Sequence, residues 1–329
     1  MRTAPLIVTV IGDPSGVGPE VCVKALATGI PQAEGRTLLV GSLHALQASA
    51  KVCGVDLRFD SVAHPEDAGH GAAVSVLDPG NLSSSDYAVG SNSAACNRAA
   101  LEWIRIAREL AEQRRVAGWI LAPVNDKALR LASDGASSED LEPAGTFQFR
   151  ISGPLRVVPI SEHVRMREIA EWVKQGRILQ LVRLVDESLK RWGIPAPRIA
   201  VAGLNPHAMF EEDAEEIEPA VREARRVGID AMGPVSPDAV FRQAREGVFD
   251  AVVTMYHDQG QIALKTAAFA GACTVFLGLP YVRIGIPHGT AYDIAGTGKA
   301  QHLTMLAAMR TAAALSSGRG FPSVPLNSR

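Results

Sequence analysis

Short apolar runs alternate along this chain with segments in which apolar residues recur at helical spacing. The runs rich in β-branched residues are predicted as strands: Leu6–Ile11, Leu38–Gly41, Trp119–Ala122, Leu155–Ile160, Ile199–Gly203, Ala251–Met255 and Cys273–Leu277. The helix-period segments are Pro19–Ala27, Ser91–Gln113, Met166–Lys174, Arg177–Trp192, Ala214–Val227, Asp238–Glu246, Gly260–Ala268 and Gly298–Ala314. This alternation is typical of βαβ units and of a mostly parallel sheet covered by helices. It constrains the chain to the α/β class.

Two segments depart from this alternation. Ser, Asp, Glu and Pro crowd together in Ala132–Gly153, which we predict to be a surface excursion or a crossover between domains. From Ser316 onward the chain is rich in Ser, Gly, Pro and Arg, and we expect this tail to be frayed.

The composition favours an enzyme of small metabolites. A chain of 329 residues, 47% of them hydrophobic, can build about two domains with real cores. A net charge of −2 without a block of Lys or Arg gives no electrostatic footprint for nucleic acid or an anionic membrane. The scattered Cys22, Cys53, Cys96 and Cys273 form no CxxC and predict buried thiols in a reducing compartment. The apolar run Leu6–Ile11 is too short for a signal sequence, so we expect a cytoplasmic protein.

Three histidines follow the ends of predicted strands: His163, His207 and His257. Ligands bind at the carboxyl edge of an open parallel sheet, so three imidazoles delivered to that edge can converge on one divalent metal. A lone histidine after a strand is more often structural, but its recurrence at three strand ends favours a metal site. No cysteine is interleaved at zinc-finger spacing, and a three-imidazole set with open positions is typical of catalytic rather than structural metals.

Polar residues beside these histidines are candidates for supporting roles. Asp258 and Asp238 can orient imidazoles or hold a water molecule. Asp238 is equally consistent with the N-cap of its helix. Lys265, two turns into the helix that follows His257, adds a cation to this cluster.

The segment Gly12–Glu20, with the sequence GDPSGVGPE, lies between a predicted strand and a predicted helix. Gly12 and Gly16 allow a sharp turn and a close approach to an anion, and a helix N-terminus adds partial positive charge. A phosphate or carboxylate is therefore expected nearby. The motif is neither GxGxxG nor a Walker loop, so a plain strand-to-helix turn also fits, and Asp13 is as well placed to cap the helix as to contact substrate.

A second glycine-punctuated loop spans Arg283–Lys299 and carries His, Thr, Tyr and Asp side chains. It is long enough to wrap a flat ligand, and a nucleotide is the natural candidate. Taken alone, the segment is equally consistent with a surface loop.

Five motifs occur together: GDPSGVGPE, LNPHA, YHDQGQIALK, LGLPYVR and HGTAYDIAGTGKA. Over about Leu6 to Leu306 the chain resembles the PdxA family, the 4-hydroxythreonine-4-phosphate dehydrogenases of pyridoxal phosphate biosynthesis. The first and last motifs are also similar to the isocitrate/isopropylmalate dehydrogenase fold, in which the HGxAxDIAG-type loop holds the adenine end of the dinucleotide. The resemblance implies two α/β/α subdomains around a cleft. We assign residues 1–127 plus 262–315 to a nucleotide-side subdomain, 128–261 to a metal and dimerisation subdomain, and 316–329 to a flexible tail.

The resemblance also implies residue roles. His163, His207 and His257 would be the metal ligands, the third coming from the partner subunit, so that the active site needs a homodimer. Lys265 and Arg283 match the family's substrate-binding cations, and Thr274 stands where the family commonly has a substrate-binding asparagine. The residues implied to bind NAD are Gly12, Asp13, Gly16, His288, Gly289, Thr290, Ala291, Asp293 and Ile294. For the general base, Lys265 and a water held by Asp238 and Asp258 stay open.

The implied reaction is NAD-dependent oxidation of a secondary alcohol in a phosphorylated hydroxy acid, followed by decarboxylation. A bound divalent ion (Zn, Mg, Mn, Co or Ni) acidifies the coordinated hydroxyl and stabilises the enolate. An isocitrate-type decarboxylase fits less well, because those enzymes bind their metal through aspartates.

Three departures put the substrate in question. The family's Gly-His-Thr-Glu motif is missing after Leu131, where the acidic segment Ser133–Pro143 stands instead. After His207 the usual Gly-Glu-Gly-Gly turn is replaced, and Thr274 replaces the asparagine. A sugar-acid 4-phosphate or a cis-dihydrodiol carboxylate is therefore an alternative substrate. A catalytically silent protein that binds NAD and metal is the alternative from another functional class.

Overall fold

The computed structural model describes residues 4–69, 73–132, 143–267 and 271–322. The chain divides into two compact units. The first unit comprises Met1–Thr146 and Leu279–Ser317, and the second comprises Phe147–Gly278 and Gly318–Arg329. This division does not test the domain boundaries predicted above, because those boundaries concern units of folding. They stay a prediction.

The strands, numbered in chain order, are β1 (Leu6–Val10), β2 (Arg36–Val40), β3 (Phe59–Ser61), β4 (Val74–Leu77), β5 (Gly118–Leu121), β6 (Phe147–Ser152), β7 (Leu155–Pro159), β8 (Ile199–Ala202), β9 (Ala231–Val235), β10 (Ala251–Thr254), β11 (Cys273–Leu277) and β12 (Val282–Gly285). In the first unit the described strands lie in the order β3-β4-β2-β1-β5-β12, and every neighbouring pair is parallel. Every residue of β1 is buried. Because successive side chains point to opposite faces of a strand, both faces of the sheet are covered at β1.

The described α-helices of the first unit are Gly18–Ala27, Ile30–Glu34, Leu43–Cys53, Ala94–Glu112, Asp126–Ala132 and Leu303–Ser316. Ala94–Glu112 and Leu303–Ser316 both pack against β1 and β5. The long helix begins at Ala94 because the Ser93 hydroxyl accepts a hydrogen bond from the Cys96 amide at 3.4 Å, which satisfies a free N–H of the first turn. The helix predicted at Ser91–Gln113 is thus confirmed.

In the second unit the strand order is β11-β6-β7-β10-β8-β9. Strand β6 is antiparallel to both β11 and β7, and the other pairs are parallel. The described α-helices are Ile169–Trp172, Gln175–Arg191, Glu218–Arg226, Pro237–Arg245 and His257–Ala267, with a π-helical segment at Asp213–Ile217 and short 3-10 helices at Met166–Glu168 and Pro206–Ala208. Val157, Ala200 and Val252, from adjacent strands, contribute to its buried core.

Several predicted elements need correction. Residues 147–152, inside the segment predicted to be irregular, form β6; residues 133–142 of that segment lie outside the described residues. The helix predicted at Gly260–Ala268 begins earlier, at His257. The sequence pattern did not predict strands β3, β4, β9 and β12 or the helices Ile30–Glu34, Leu43–Cys53 and Asp126–Ala132.

Part of the tail that was expected to be frayed is packed. The Phe321 ring lies 6.0 Å from the Trp192 ring, and the Arg156 guanidinium lies 4.3 Å from the Phe321 centroid. The Gly320 amide donates to the Trp192 carbonyl at 2.6 Å. Residues 323–329 lie outside the described residues.

The α/β fold class is confirmed, since strands and helices alternate through both units. Cys22, Cys96 and Cys273 are buried free thiols, as predicted, and Cys53 is half-buried. Within the described ranges, every helix is too short or too polar to span a bilayer.

Candidate functional site

Glu162, His163 and His257 form a cluster in the second unit. Each offers a ligand atom within 4.8 Å of the other two, and the two imidazole rings are 5.1 Å apart between centroids. These are residue types that bind divalent metals. The structure therefore brings together two of the three predicted histidines and adds a carboxylate that the sequence analysis did not single out.

Parallel pairing of β7 with β10 produces this juxtaposition. Pro159 lies opposite Thr254, so the two strands end side by side. Beyond the strands, the Ile160 amide donates to the Thr254 carbonyl and the Ser161 hydroxyl donates to the Met255 carbonyl, both at 2.8 Å. These bonds fix the segment that carries His163 beside the first turn of the helix that carries His257.

Asp258 contacts the imidazole of His257. The His257 Nδ1 atom lies 2.7 Å from Oδ1 of Asp258. A carboxylate only accepts hydrogen bonds, so Nδ1 is the donor in this contact and Nε2 is the nitrogen that remains for a metal. The structure thus places Asp258 where an imidazole-orienting residue has to be.

His207 lies apart from that cluster. Among the described residues, the group of ligand atoms within 4.8 Å does not include it. Its exposed ring has the Ser236 hydroxyl 3.5 Å and an Asp238 carboxylate oxygen 4.0 Å from Nδ1. His207 and Ala208 both have positive φ angles, +57° and +56°. Left-handed conformations cost non-glycine residues about 1–3 kcal/mol, so the surrounding structure has to hold this loop.

Asp213 holds the loop that presents His207. It is buried, and one carboxylate oxygen accepts from the Leu204 amide at 2.7 Å. The other oxygen accepts from the Asn205 side chain at 3.1 Å and from the Phe210 amide at 3.4 Å. The sequence analysis missed Asp213, because it lies in an acidic run that has the composition of a solvated helix start.

Gln259 ties the ends of β8 and β10 together. Its side-chain oxygen accepts from the Met255 amide at 2.7 Å, and its side-chain nitrogen donates to the Gly203 carbonyl at 2.8 Å. It therefore couples the strand end that leads to His257 with the one that leads to His207. From the sequence, Gln259 appeared only as part of the YHDQGQIALK motif.

Asp238 lies in the first turn of the helix Pro237–Arg245, whose N-cap position is Ser236. The N-cap alternative for Asp238 is thus wrong. Its carboxylate accepts from the Ser236 hydroxyl at 2.6 Å. That bond, with a smaller contribution from His207, lowers the pKa of Asp238 and keeps the carboxylate ionised beside the imidazole.

The three predicted substrate-binding residues occupy different settings. Lys265 is exposed on the last turn of its helix, and Thr274 is buried on β11 opposite Arg150 of β6. Arg283 is buried on β12, with its guanidinium 4.7 Å from the centroid of the Trp119 ring. Their assembly into one substrate site stays a prediction.

In the first unit the glycine motif meets the second glycine-punctuated loop. Gly12 has φ +75°, and a Cβ there would lie 2.3 Å from the Pro123 carbonyl oxygen. A Cβ at Gly16 would lie 2.8 Å from the Thr290 carbonyl oxygen, and the Val17 amide donates to that carbonyl at 2.9 Å. Both positions require glycine, and the two segments predicted to bind a dinucleotide are in direct contact.

Asp13 is the buried centre of this contact. Oδ1 accepts from the Ser15 amide at 2.9 Å and from its hydroxyl at 2.7 Å, and Oδ2 accepts from the Tyr292 hydroxyl at 2.6 Å. Burial and the bond to Asp13 raise the pKa of Tyr292, so the phenol remains a proton donor. Asp13 does not cap the following helix, whose N-cap position is Val17 without a side-chain cap.

The other predicted cofactor residues line the same loop. His288 has Nδ1 3.2 Å from the Gly289 carbonyl, Gly289 faces open space, and Ala291 has a positive φ of +43°. Asp293 is exposed and Ile294 is half-buried. A recess beside the loop is lined by Pro14, Gly16, Glu20, Tyr87, Val89 and Gly296. Glu20 accepts from the Gly296 amide at 2.5 Å, which holds the end of the loop against the helix Gly18–Ala27.

Comparison with known proteins places these features in a family. The sequence profile of the family described as "Pyridoxal phosphate biosynthetic protein PdxA" matches residues 33–312. The chain belongs to the PdxA family. The resemblance deduced from the five motifs is thereby confirmed.

Relatives of this PdxA-family chain match along nearly its whole length. A protein of Novosphingobium aromaticivorans, provisionally named 4-hydroxythreonine-4-phosphate dehydrogenase, is 40% identical over 97% of each chain. One of Symbiobacterium thermophilum, provisionally named D-threonate 4-phosphate dehydrogenase, is 34% identical over 95% of this chain and 97% of its own. The crystal structure of a 4-hydroxythreonine-4-phosphate dehydrogenase from Burkholderia phymatum has a TM-score of 0.84 and 31% identity, covering 95% of this chain and 99% of that one. These relatives are named dehydrogenases, and this PdxA-family chain is an oxidoreductase.

Proposed function

We propose that this protein oxidises the secondary alcohol of a 4-phosphorylated hydroxy acid with NAD and a divalent metal, and that the resulting β-keto acid loses carbon dioxide. The observation that carries the proposal is the pairing of His163 with His257, the latter oriented by Asp258. Catalytic metal sites are built from preorganised ligands held by rigid elements, and imidazole is a common ligand of divalent metals.

The donor chemistry of this cluster fits a divalent ion. Two imidazoles and a carboxylate lie within reach of one another, and Asp258 fixes the metal-binding tautomer of His257. When bound, the ion would supply Lewis acidity toward the substrate hydroxyl and the later enolate. Asp258 and Asp238 lie beside His257 and His207, and each carboxylate is able to hold a water that removes the hydroxyl proton. Lys265 is the other candidate base.

The contact between the two glycine-containing loops supports NAD binding. Asp13 and Tyr292 hold the loops together, while Gly289 leaves open space for a ligand. The helix Gly18–Ala27 begins without a side-chain cap, and the partial positive charge of a helix N-terminus suits a nearby phosphate or carboxylate. NAD would accept the hydride, and the chain would orient the nicotinamide ring toward the carbinol carbon.

Exposed apolar residues near His207 support a homodimer with a shared site. Two and three residues after His207, Met209 is 72% exposed and Phe210 is 54% exposed. Met232 is exposed on β9, the last strand in the order of its sheet. Exposed apolar clusters favour protein interfaces. The resemblance implied that the third histidine, His257, comes from the partner subunit. Because His257 lies beside His163 in the same chain, we propose instead that His207 reaches the metal site of the partner subunit.

The substrate class is argued from the relatives. A phosphorylated four-carbon hydroxy acid is common to the names 4-hydroxythreonine-4-phosphate dehydrogenase and D-threonate 4-phosphate dehydrogenase. The missing Gly-His-Thr-Glu motif favours testing both acids, since the residues that anchor the far end of the substrate are changed.

Spectrophotometric detection of NADH with each acid, before and after chelation, tests the proposal. We expect turnover with at least one phosphorylated acid, its loss with a chelator, and its recovery when Zn²⁺, Mn²⁺ or Co²⁺ is restored. Tight NAD and metal binding without NADH formation across the panel would instead indicate a catalytically silent homologue.

A further inference from the structure

We propose that Glu162 supplies a carboxylate oxygen to the same divalent ion as His163 and His257, so that one subunit presents two imidazoles and one carboxylate. This inference rests on the proposed function, because it requires a metal at that cluster. It adds a ligand that the three-histidine prediction does not contain.

The three side chains lie close to the spacing that one ion requires. Ligand atoms of Glu162, His163 and His257 lie within 4.8 Å of one another. Nitrogen and oxygen ligands bind Zn²⁺ at about 2.0–2.2 Å, so two ligands of one ion are at most about 4.4 Å apart. The ligand atoms of the three side chains are therefore already close to the separation that one ion requires.

The Glu162 carboxylate is held in place. Arg150 donates to both of its oxygens, at 2.9 Å each, in a bidentate pair. The Arg150 side chain is only 7% exposed, and its Nη2 also donates to the Gln148 side chain at 2.8 Å. These contacts leave the Arg150 guanidinium little rotamer freedom. The guanidinium therefore fixes the Glu162 carboxylate beside the imidazoles.

The Glu162 carboxylate can still bind a metal while it is paired with Arg150. A carboxylate has about four lone-pair sites, and Arg150 occupies two of them. The Glu162 side chain is 28% exposed, so it is open on the side away from its buried partner. We expect Glu162 to contribute more to the affinity for Mn²⁺, which favours oxygen ligands, than to the affinity for Zn²⁺.

Glu162→Gln tests the proposal directly, with Glu168→Gln as the matched control. Glu168 lies in the same segment and its ion pairs are with the exposed Arg165 and Arg167. The readouts are the Kd of Mn²⁺ for the full-length protein, by calorimetry, and the visible spectrum of the Co²⁺ form. We expect Glu162→Gln to weaken Mn²⁺ binding by about 10–100-fold and to alter the Co²⁺ spectrum. Glu168→Gln should change neither.

A purely structural role for Glu162 predicts a different result. Neutralising Glu162 leaves the buried Arg150 guanidinium without a counter-charge, and we expect the variant to lose stability for that reason alone. Arg150→Met retains Glu162 without its buried partner, and the double variant Arg150→Met/Glu162→Gln removes both charges. We expect the single variant to bind Mn²⁺ more tightly than the double variant. Equal affinities in this pair, or an unchanged Kd in a folded Glu162→Gln, would overturn the inference.

The test separates this inference from the proposed function. Unmodified protein that binds neither Mn²⁺ nor Zn²⁺ would overturn the metal-assisted reaction and the inference with it. Binding by the unmodified protein that Glu162→Gln leaves unchanged would overturn the role of Glu162 alone.

Discussion

At the scale of single residues, the chemistry of the candidate site depends on side chains that hold other side chains. His163 and His257 could be predicted from the sequence because each follows an apolar run that reads as a strand. Glu162 and Asp213 could not, because their roles come from partners far along the chain or from burial. A carboxylate beside a histidine has the same local pattern whether or not Arg150 faces it.

Asp258→Asn tests the orientation of His257. An amide can present its oxygen to Nδ1, but without the negative charge the imidazole becomes a poorer ligand. We expect divalent-metal affinity to fall about 10–100-fold, as measured by calorimetry. Asp60→Asn, at an exposed position of β3, is the control and should bind metal normally. Unchanged affinity in Asp258→Asn would contradict the role assigned to Asp258.

Asp213→Ala tests the support of the His207 loop. The change removes hydrogen bonds from two amides and one side chain to a buried carboxylate. We expect the free energy of unfolding to fall by roughly 3 kcal/mol, measured by urea denaturation. Glu215→Ala, at an exposed position two residues away, should change it by less than about 0.5 kcal/mol. Equal losses in both variants would show that Asp213 does not anchor the loop.

At the scale of elements, the strands that precede the three histidines could be predicted from the sequence, and β6 could not. Strands β7, β8 and β10 are buried, β-branched runs whose own composition identifies them. Strand β6 carries Arg150 and Gln148, polar residues that are typical of a loop. Only the structure shows that Glu162 pairs with the positive charge of Arg150. The helix that contains His257 begins three residues earlier than predicted, because His257-Asp258-Gln259 has no pattern that separates a polar turn from a first helical turn.

The turn that opens the helix Gly18–Ala27 can be tested through Gly12. Gly12→Ala combines a positive φ of +75° with a Cβ only 2.3 Å from the Pro123 carbonyl oxygen. Gly80→Ala is the matched control, since Gly80 has φ +72° and open space around its Cβ position. We expect the control to lose about 1 kcal/mol of stability and Gly12→Ala a further 1–3 kcal/mol, roughly, because the backbone has to move. Thermal denaturation with and without NAD measures both. Equal losses of stability in the two variants would mean that the backbone at Gly12 moves away from Pro123 without a cost in free energy.

At the scale of the whole molecule, the sequence predicts ligands but not how copies share them. The chain places His163 and His257 together, and His207 lies on an exposed loop with Met209 and Phe210. A two-fold dimer contacts itself through the same patch on each copy, so a residue donated to the partner is also received from it. The sequence of a single chain contains no local pattern that indicates which residues two copies exchange.

Subunit complementation decides whether His207 acts in the partner's site. His207→Ala and His257→Ala homodimers should each be inactive, since both of their sites lack a ligand. In a mixed dimer one site carries both substitutions and the other carries neither. With random mixing, half of the dimers are mixed, so about a quarter of the unmodified activity should return after the subunits exchange. A mixed dimer that forms and stays inactive would place His207 and His257 in the same chain's site, and the shared-site proposal would then be wrong.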